Sequence, residues 1–126
     1  MIVARSEAQP FRTKLSNGSQ TIHADVDAGK GGGGEGFRPH ELLESSLAAC
    51  INIMVRMYAQ NHGLALAAVE TRVTLDRGNP EESLFRYELE LEGELSAEDR
   101  AKLRSVVQSC PVRQTLSRRI RFEAAE

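Results

Sequence analysis

The chain has 126 residues and a formal net charge of −2, with 40% hydrophobic and 27% charged residues. That length predicts a single domain over residues 1–126, and the composition excludes a disordered chain or a collagen-like repeat. A nearly neutral chain has no overall field to attract nucleic acid or an anionic membrane, so we expect neither as a partner.

Neither a membrane span nor a secretion signal is predicted. The sequence has no run of about 18 apolar residues, and its first ten residues lack the charged and then apolar layout of a signal peptide. We therefore predict a cytoplasmic protein. In that reducing compartment, Cys50 and Cys110 favour a catalytic or redox pair over a structural disulfide.

Alternating apolar residues predict three short strands at the N-terminus, over residues 2–5, 11–15 and 21–27. Between the last two, residues 16–19 contain the Asn-Gly pair that is typical of a tight hairpin. The N-terminal segment is therefore predicted to form a small antiparallel meander.

Residues 28–36 read AGKGGGGEG and are predicted to form a flexible loop. Gly31, Gly33 and Gly36 formally fit a GxGxxG pattern. A dinucleotide site also needs a strand–turn–helix unit, whereas here the preceding strand belongs to a hairpin and Pro39 intervenes. Nucleotide binding is therefore not expected.

A long helix is predicted over residues 40–61, with Pro39 at its start and Gly63 beyond its end. Apolar residues surround most of this helix, which predicts that it is buried on most sides. In so short a chain, this indicates a central helix that a second subunit covers.

The rest of the chain is predicted to form strands over residues 65–76 and 84–95, helices over 96–109 and 112–117, and a closing strand over 119–123. This order predicts an α+β fold of antiparallel sheets and two main helices. One face of the second long strand carries an acidic row that we expect to face solvent, consisting of Glu88, Glu90, Glu92 and Glu94.

The two cysteines are the residues with chemical potential. Both lie on apolar helical stripes, so each could be a small core residue. However, Cys110 precedes Pro111 and could cap a helix, where free N–H groups and the helix dipole favour a thiolate. No CxxC, HxxxH or GxSxG spacing is present, so we expect neither a metal site nor a serine hydrolase.

The segment PHELLESSLAAC, residues 39–50, resembles the P-x-E-L-L…A-x-C helix of the OsmC/Ohr superfamily, the osmotically inducible and organic hydroperoxide resistance proteins. Cys110-Pro111-Val112 resembles the second cysteine motif of that superfamily. The resemblance implies an OsmC-like fold in an intertwined homodimer with active sites at the interface.

For the activity, the resemblance implies a thiol-dependent peroxidase in which Cys50 attacks an organic hydroperoxide and Cys110 resolves the sulfenic acid to a disulfide. A dithiol reductant of unknown identity would restore the thiols, and no cofactor would be needed. A role in the oxidative stress response is implied as well.

Two departures from the family pattern concern the groups around the thiolate. Peroxidase members carry a glutamate directly after the motif proline, whereas here that position is His40 and the acid is Glu41. The family arginine would fall near Gln9, with Arg12 next along the chain. We predict Arg12 and Glu41 as supporting site residues, while Arg5 and Arg38 stay open as other arginine candidates.

Two alternatives compete with the peroxidase prediction. The first is an OsmC-like dimer without efficient peroxidase activity that binds a small apolar or thiol-reactive ligand in the interface pocket, and His40 favours it. The second is a purely structural or protein-interaction dimer, which would hold the two cysteines too far apart to form a disulfide.

Overall fold

A computed structural model describes residues 1–125. The chain forms two compact units, one from Met1 to Leu43 and one from Glu44 onward. The first consists of an antiparallel sheet, a glycine-rich loop and the start of a helix. The second contains most of that helix, a two-stranded sheet and two shorter helices. Together these elements confirm the predicted α+β class.

The first unit begins with the predicted meander, in the order β1-β2-β3. Its strands are β1 (Val3–Ser6), β2 (Thr13–Ser16) and β3 (Thr21–Ala24). In the β2–β3 turn, the Asn17 side-chain oxygen accepts hydrogen bonds of 2.8 Å from the N–H groups of Ser19 and Gln20. Gly18 adopts a φ of 101°, which glycine adopts without strain. The predicted hairpin is confirmed.

The glycine-rich loop is organised around one buried carboxylate. Asp25 is 3% exposed and accepts hydrogen bonds from the N–H groups of Val26, Gly33 and Glu35 at 2.7, 3.2 and 3.2 Å. The backbone also packs tightly here, because a Cβ atom on Gly32 would lie 2.0 Å from the Val26 carbonyl oxygen. The sequence predicted a flexible loop, whereas the structure shows a defined course set by Asp25.

Helix α1 spans Pro39–Asn61, as predicted, and crosses from the first unit into the second. Gly63 follows its end with a φ of 62°, the left-handed conformation expected beyond a helix. One face is buried in the core of the second unit through Leu47, Ile51, Val55 and Ala59. On another face, Ile53 and Met57 are each 56% exposed.

The second unit contains β4 (Leu66–Asp76) and β5 (Leu84–Gly93), which pair antiparallel. They are followed by α2 (Ala97–Ser105), a 3-10 turn (Val106–Ser109) and α3 (Pro111–Ser117). The core joins the α1 face to residues of β5, α2, the 3-10 turn and the N-cap of α3, namely Leu91, Leu103, Val106, Val107 and Cys110. The acidic row of β5 and the residue after it is exposed, as predicted.

One further sequence expectation needs correction. Residues 119–123 form no strand in the described chain, because no sheet edge pairs with them and a strand needs a partner for its backbone groups.

Within residues 1–125, α1 is the one helix long and apolar enough to cross a membrane by length and composition. Its polar residues Glu44, Asn52 and Arg56 bond to β4, which is typical of a helix in a globular unit.

Candidate thiol site

The structure brings Cys50 and Cys110 together in the second unit, where both are free thiols. Cys50 lies midway along α1 and is partly exposed, whereas Cys110 is fully buried at the start of α3. The two side chains lie close enough for Cys110 to influence the pKa of Cys50. A reagent that diffuses to this site therefore reaches the sulfur of Cys50 first, with Cys110 beside it as a second thiol.

The first turn of α3 binds both sulfur atoms. Cys110 is the N-cap residue, and its Sγ accepts a hydrogen bond of 3.5 Å from the N–H of Arg113. Pro111 occupies the first helical position, as the sequence predicted. The N–H of Val112 is directed to Cys50. Backbone groups that a helix start normally leaves unpaired are thus used to hold the thiol pair.

The surroundings of Cys50 favour its neutral form. Burial raises the pKa of Cys50, and the neighbouring side chain of Cys110 raises it further. The N–H of Val112 lowers the pKa of Cys50 but does not reverse the direction. Because the thiolate is the nucleophile, these surroundings by themselves favour the less reactive thiol form of Cys50.

Arg12 lies in the first unit between two carboxylates. Its Nη1 is 3.3 Å from Glu35, and its Nε is 3.3 Å from Glu7. The distance between Nε and the Glu7 carboxylate is short enough for an ion pair. Among the described residues, however, no acceptor is oriented to form a hydrogen bond with this buried nitrogen. Glu7 also lies 3.3 Å from Nε2 of His23. The Arg12 guanidinium is therefore held in an ionic cluster.

Glu41 supports the start of α1. Its carboxylate accepts hydrogen bonds from the Arg38 backbone N–H at 2.9 Å and from Arg38 Nε at 3.2 Å. These bonds lower the pKa of Glu41, the backbone bond most strongly. Arg38 also pairs with Asp27 at 3.3 Å. This is the arrangement of an N-terminal capping acid, and the adjacent His40 is exposed.

Of the four predicted site residues, the structure pairs Cys50 with Cys110 and places Arg12 and Glu41 in the other unit. The roles of Arg12 and Glu41 toward the thiols stay predictions. Sequence reasoning missed the carboxylates around Arg12, since no motif relates Glu7 and Glu35 to it. Within residues 1–125, no cluster of three or more His, Cys, Asp or Glu side chains could hold a metal ion.

The profile of the OsmC-like protein family matches residues 31–125. No curated protein sequence matches the chain. Several solved structures share its fold. An OsmC-like protein of Mycoplasma pneumoniae is 21% identical with a TM-score of 0.75, over 92% of this chain and 85% of the other.

Two further solved structures also share the fold. The organic hydroperoxide resistance protein of Bacillus subtilis is 18% identical with a TM-score of 0.61, over 93% of this chain and 90% of the other. A Vibrio cholerae protein with captopril in one of its active sites is 19% identical with a TM-score of 0.65, over 93% and 84% of the chains. The family profile covers most of the chain, and the chain belongs to the OsmC-like protein family.

Proposed function

We propose that the chain is a thiol-dependent peroxidase that reduces organic hydroperoxides. One observation carries the proposal: two free thiols lie beside each other, and the one on α1 is the more accessible. This is the arrangement that a two-cysteine cycle needs, because a sulfenic acid on Cys50 would form beside a resolving thiol. Membership in a family with hydroperoxide resistance proteins supports the same chemistry.

The proposed cycle has three steps. The Cys50 thiol loses its proton and the thiolate attacks the terminal peroxide oxygen; the O–O bond breaks, the alkoxide takes up that proton and leaves as an alcohol, and Cys50 becomes a sulfenic acid. The Cys110 thiol then loses its proton and attacks the Cys50 sulfur; the S–O bond breaks, the hydroxide takes up that proton and leaves as water, and a disulfide forms. A dithiol reductant of unknown identity supplies two electrons and two protons, which restores both thiols.

The first step needs a cation, because burial raises the pKa of Cys50. We assign this role to Arg12, with Glu41 as a supporting residue that holds the start of α1 through Arg38. We expect Arg12→Gln to slow peroxide consumption and the control variant Arg77→Gln, in the exposed turn between β4 and β5, to leave it unchanged. Equal rates for both variants and wild type would remove Arg12 from the site.

The active unit in this proposal is a homodimer. Ile53 and Met57 lie three and seven residues beyond Cys50, so they share its side of α1, and both are 56% exposed. A second copy that covers this face would bury apolar side chains and enclose Cys50. Light scattering should give twice the chain mass, and a monomer at micromolar concentration would refute the dimer. We place this dimer in the cytoplasm, where the thiols stay reduced.

Two variants test the division of labour between the thiols. Cys50→Ser should abolish the consumption of cumene hydroperoxide, because the attacking sulfur is gone. Cys110→Ser should react once and keep a sulfenic acid on Cys50, which dimedone labels and mass spectrometry locates. Dimedone on Cys110 in the Cys50→Ser protein, with turnover retained, would reverse the assignment.

A second candidate function is an OsmC-like dimer that binds a small apolar or thiol-reactive ligand without efficient turnover. His40 at the family's glutamate position favours it, and so does the raised pKa of Cys50. The captopril-bound Vibrio cholerae relative offers a precedent for a ligand in such a site. Saturable ligand binding with no loss of thiols to any organic hydroperoxide would favour this candidate over the peroxidase.

A further inference from the structure

Side chains of α2 occupy the edge of β5 that does not pair with β4. Arg100 donates from Nη1 to the Leu91 carbonyl at 2.8 Å and from Nη2 to the Gly93 carbonyl at 3.2 Å. Arg104 donates from Nη1 to the Leu89 carbonyl at 3.0 Å. The two arginines, here called the edge arginines, are four residues apart and so lie on one side of α2. They bind three successive outward carbonyls of the strand.

Side chains of α1 occupy the opposite edge of the same sheet. Glu44 accepts a hydrogen bond of 2.8 Å from the N–H of Leu75, and Arg56 donates to the carbonyls of Leu66 and Ala67 at 3.2 and 3.0 Å. Between them, Asn52 accepts a 3.1 Å hydrogen bond from the Thr71 hydroxyl. Polar residues on both sides of Cys50 therefore fasten α1 along β4.

These two sets of bonds connect the thiols through the β4–β5 hairpin. Cys50 is on α1, which is fastened to the β4 edge. Cys110 follows α2 after the short 3-10 turn, and α2 is fastened to the β5 edge. The paired strands have a fixed width, so bonds at both edges set where the two sulfurs lie relative to each other.

We propose that Arg100 and Arg104 are positioning residues for the disulfide between Cys50 and Cys110. Neither touches a sulfur. By fixing α2 on the sheet edge, they raise the effective concentration of the Cys110 thiol at Cys50. Hydrogen bonds from a charged guanidinium suit this task because they are stronger than neutral ones. The inference rests on the two-cysteine cycle proposed above, since it concerns the disulfide of that cycle.

The test is the thiol–disulfide equilibrium of the folded protein in mixtures of oxidised and reduced dithiothreitol. The two cysteine thiols give two electrons and two protons to the disulfide of oxidised dithiothreitol, which becomes the dithiol. Alkylation and mass spectrometry then count the oxidised fraction. We expect the double variant Arg100→Gln/Arg104→Gln to lower the equilibrium constant about tenfold, through the loss of three charged hydrogen bonds.

Two further variants sharpen the test. The matched control is Arg72→Gln, which removes an arginine from the solvent face of the same sheet, where it pairs with Glu70, Glu88 and Glu90. This control should change the equilibrium constant less than twofold. Arg100→Lys keeps the charge, but an ammonium group cannot donate to two carbonyls in the planar fork of a guanidinium. We therefore expect its thiol–disulfide equilibrium constant to lie between those of wild type and the double variant. Arg100→Lys also tests the inference if the double variant does not fold.

Urea unfolding of the oxidised and reduced forms separates positioning from a general loss of stability. If the edge arginines position the thiols, oxidation raises the free energy of unfolding of the double variant less than that of wild type. Expressed as a ratio of unfolding equilibrium constants, this difference equals the change in the thiol–disulfide equilibrium constant. Equal destabilisation of both forms with an unchanged constant would overturn the inference and leave the peroxidase proposal intact. A wild-type protein that forms no intramolecular disulfide in any mixture would overturn both.

Discussion

Different kinds of interaction stabilise the two units of the chain, each within itself. The first unit has one buried carboxylate, Asp25, that binds backbone N–H groups around a close-packed glycine loop. The second has a continuous cluster of buried apolar side chains, with Cys110 as one member. We therefore expect substitutions that add atoms or remove charge to destabilise the first unit. Substitutions that remove buried atoms should destabilise the second.

The largest effect is expected in the apolar cluster. Leu103 is 0% exposed, so Leu103→Ala should lower the free energy of unfolding by about 3 kcal/mol through lost burial and a residual cavity. Leu84→Ala is the matched control, because Leu84 is 40% exposed, and it should cost less than about 1 kcal/mol. Urea denaturation measures both. Similar losses for the two variants would show that this cluster is not the core.

The glycine loop should respond to an added methyl group. In Gly32→Ala the new Cβ would lie 2.0 Å from the Val26 carbonyl oxygen, so the backbone must shift. We expect a loss of about 2 kcal/mol, a typical cost of overpacking, in the same denaturation measurement. Gly29→Ala provides the control, because a Cβ at Gly29 meets nothing within 4 Å. A tolerated Gly32→Ala would mean that the loop is not closely packed.

A smaller effect concerns the charge of Asp25. Its hydrogen bonds, first that of Val26, lower the pKa of Asp25 in the folded protein. Its contribution to stability is then present above the unfolded pKa of about 3.9 and is lost as pH falls through the folded value. Asp25→Asn should be less stable than wild type at pH 7, and the difference should shrink below about pH 4.

Thermal unfolding across pH measures this difference, with Asp27→Asn as an exposed control in the same loop. A wild-type advantage over Asp25→Asn that stays constant down to pH 2 would contradict a role for the charge.

Periodicity was enough to predict most of the fold. The apolar face of α1 and the alternation of β4 and β5 are local patterns, so their residues could be assigned to a core before the structure was known. The pairing of Cys50 with Cys110 rested instead on two short motifs, and Pro111 signalled the helix that begins directly after Cys110. The structure brings these two cysteines together.

Other features depend on contacts that no local pattern encodes. Asp25 binds Gly33 and Glu35, eight and ten residues ahead, so a glycine-rich segment looked flexible in sequence. The partners of Arg12 and of the edge arginines are likewise set by tertiary packing. The closing strand over residues 119–123 was wrong because β propensity alone does not supply a partner edge.

The most direct test of the account is a count of thiols in the reduced wild-type protein before and after cumene hydroperoxide is added. The account predicts that one equivalent of hydroperoxide per chain removes both free thiols, those of Cys50 and Cys110, and yields an intramolecular disulfide. A full complement of free thiols after exposure to excess cumene or t-butyl hydroperoxide would contradict it.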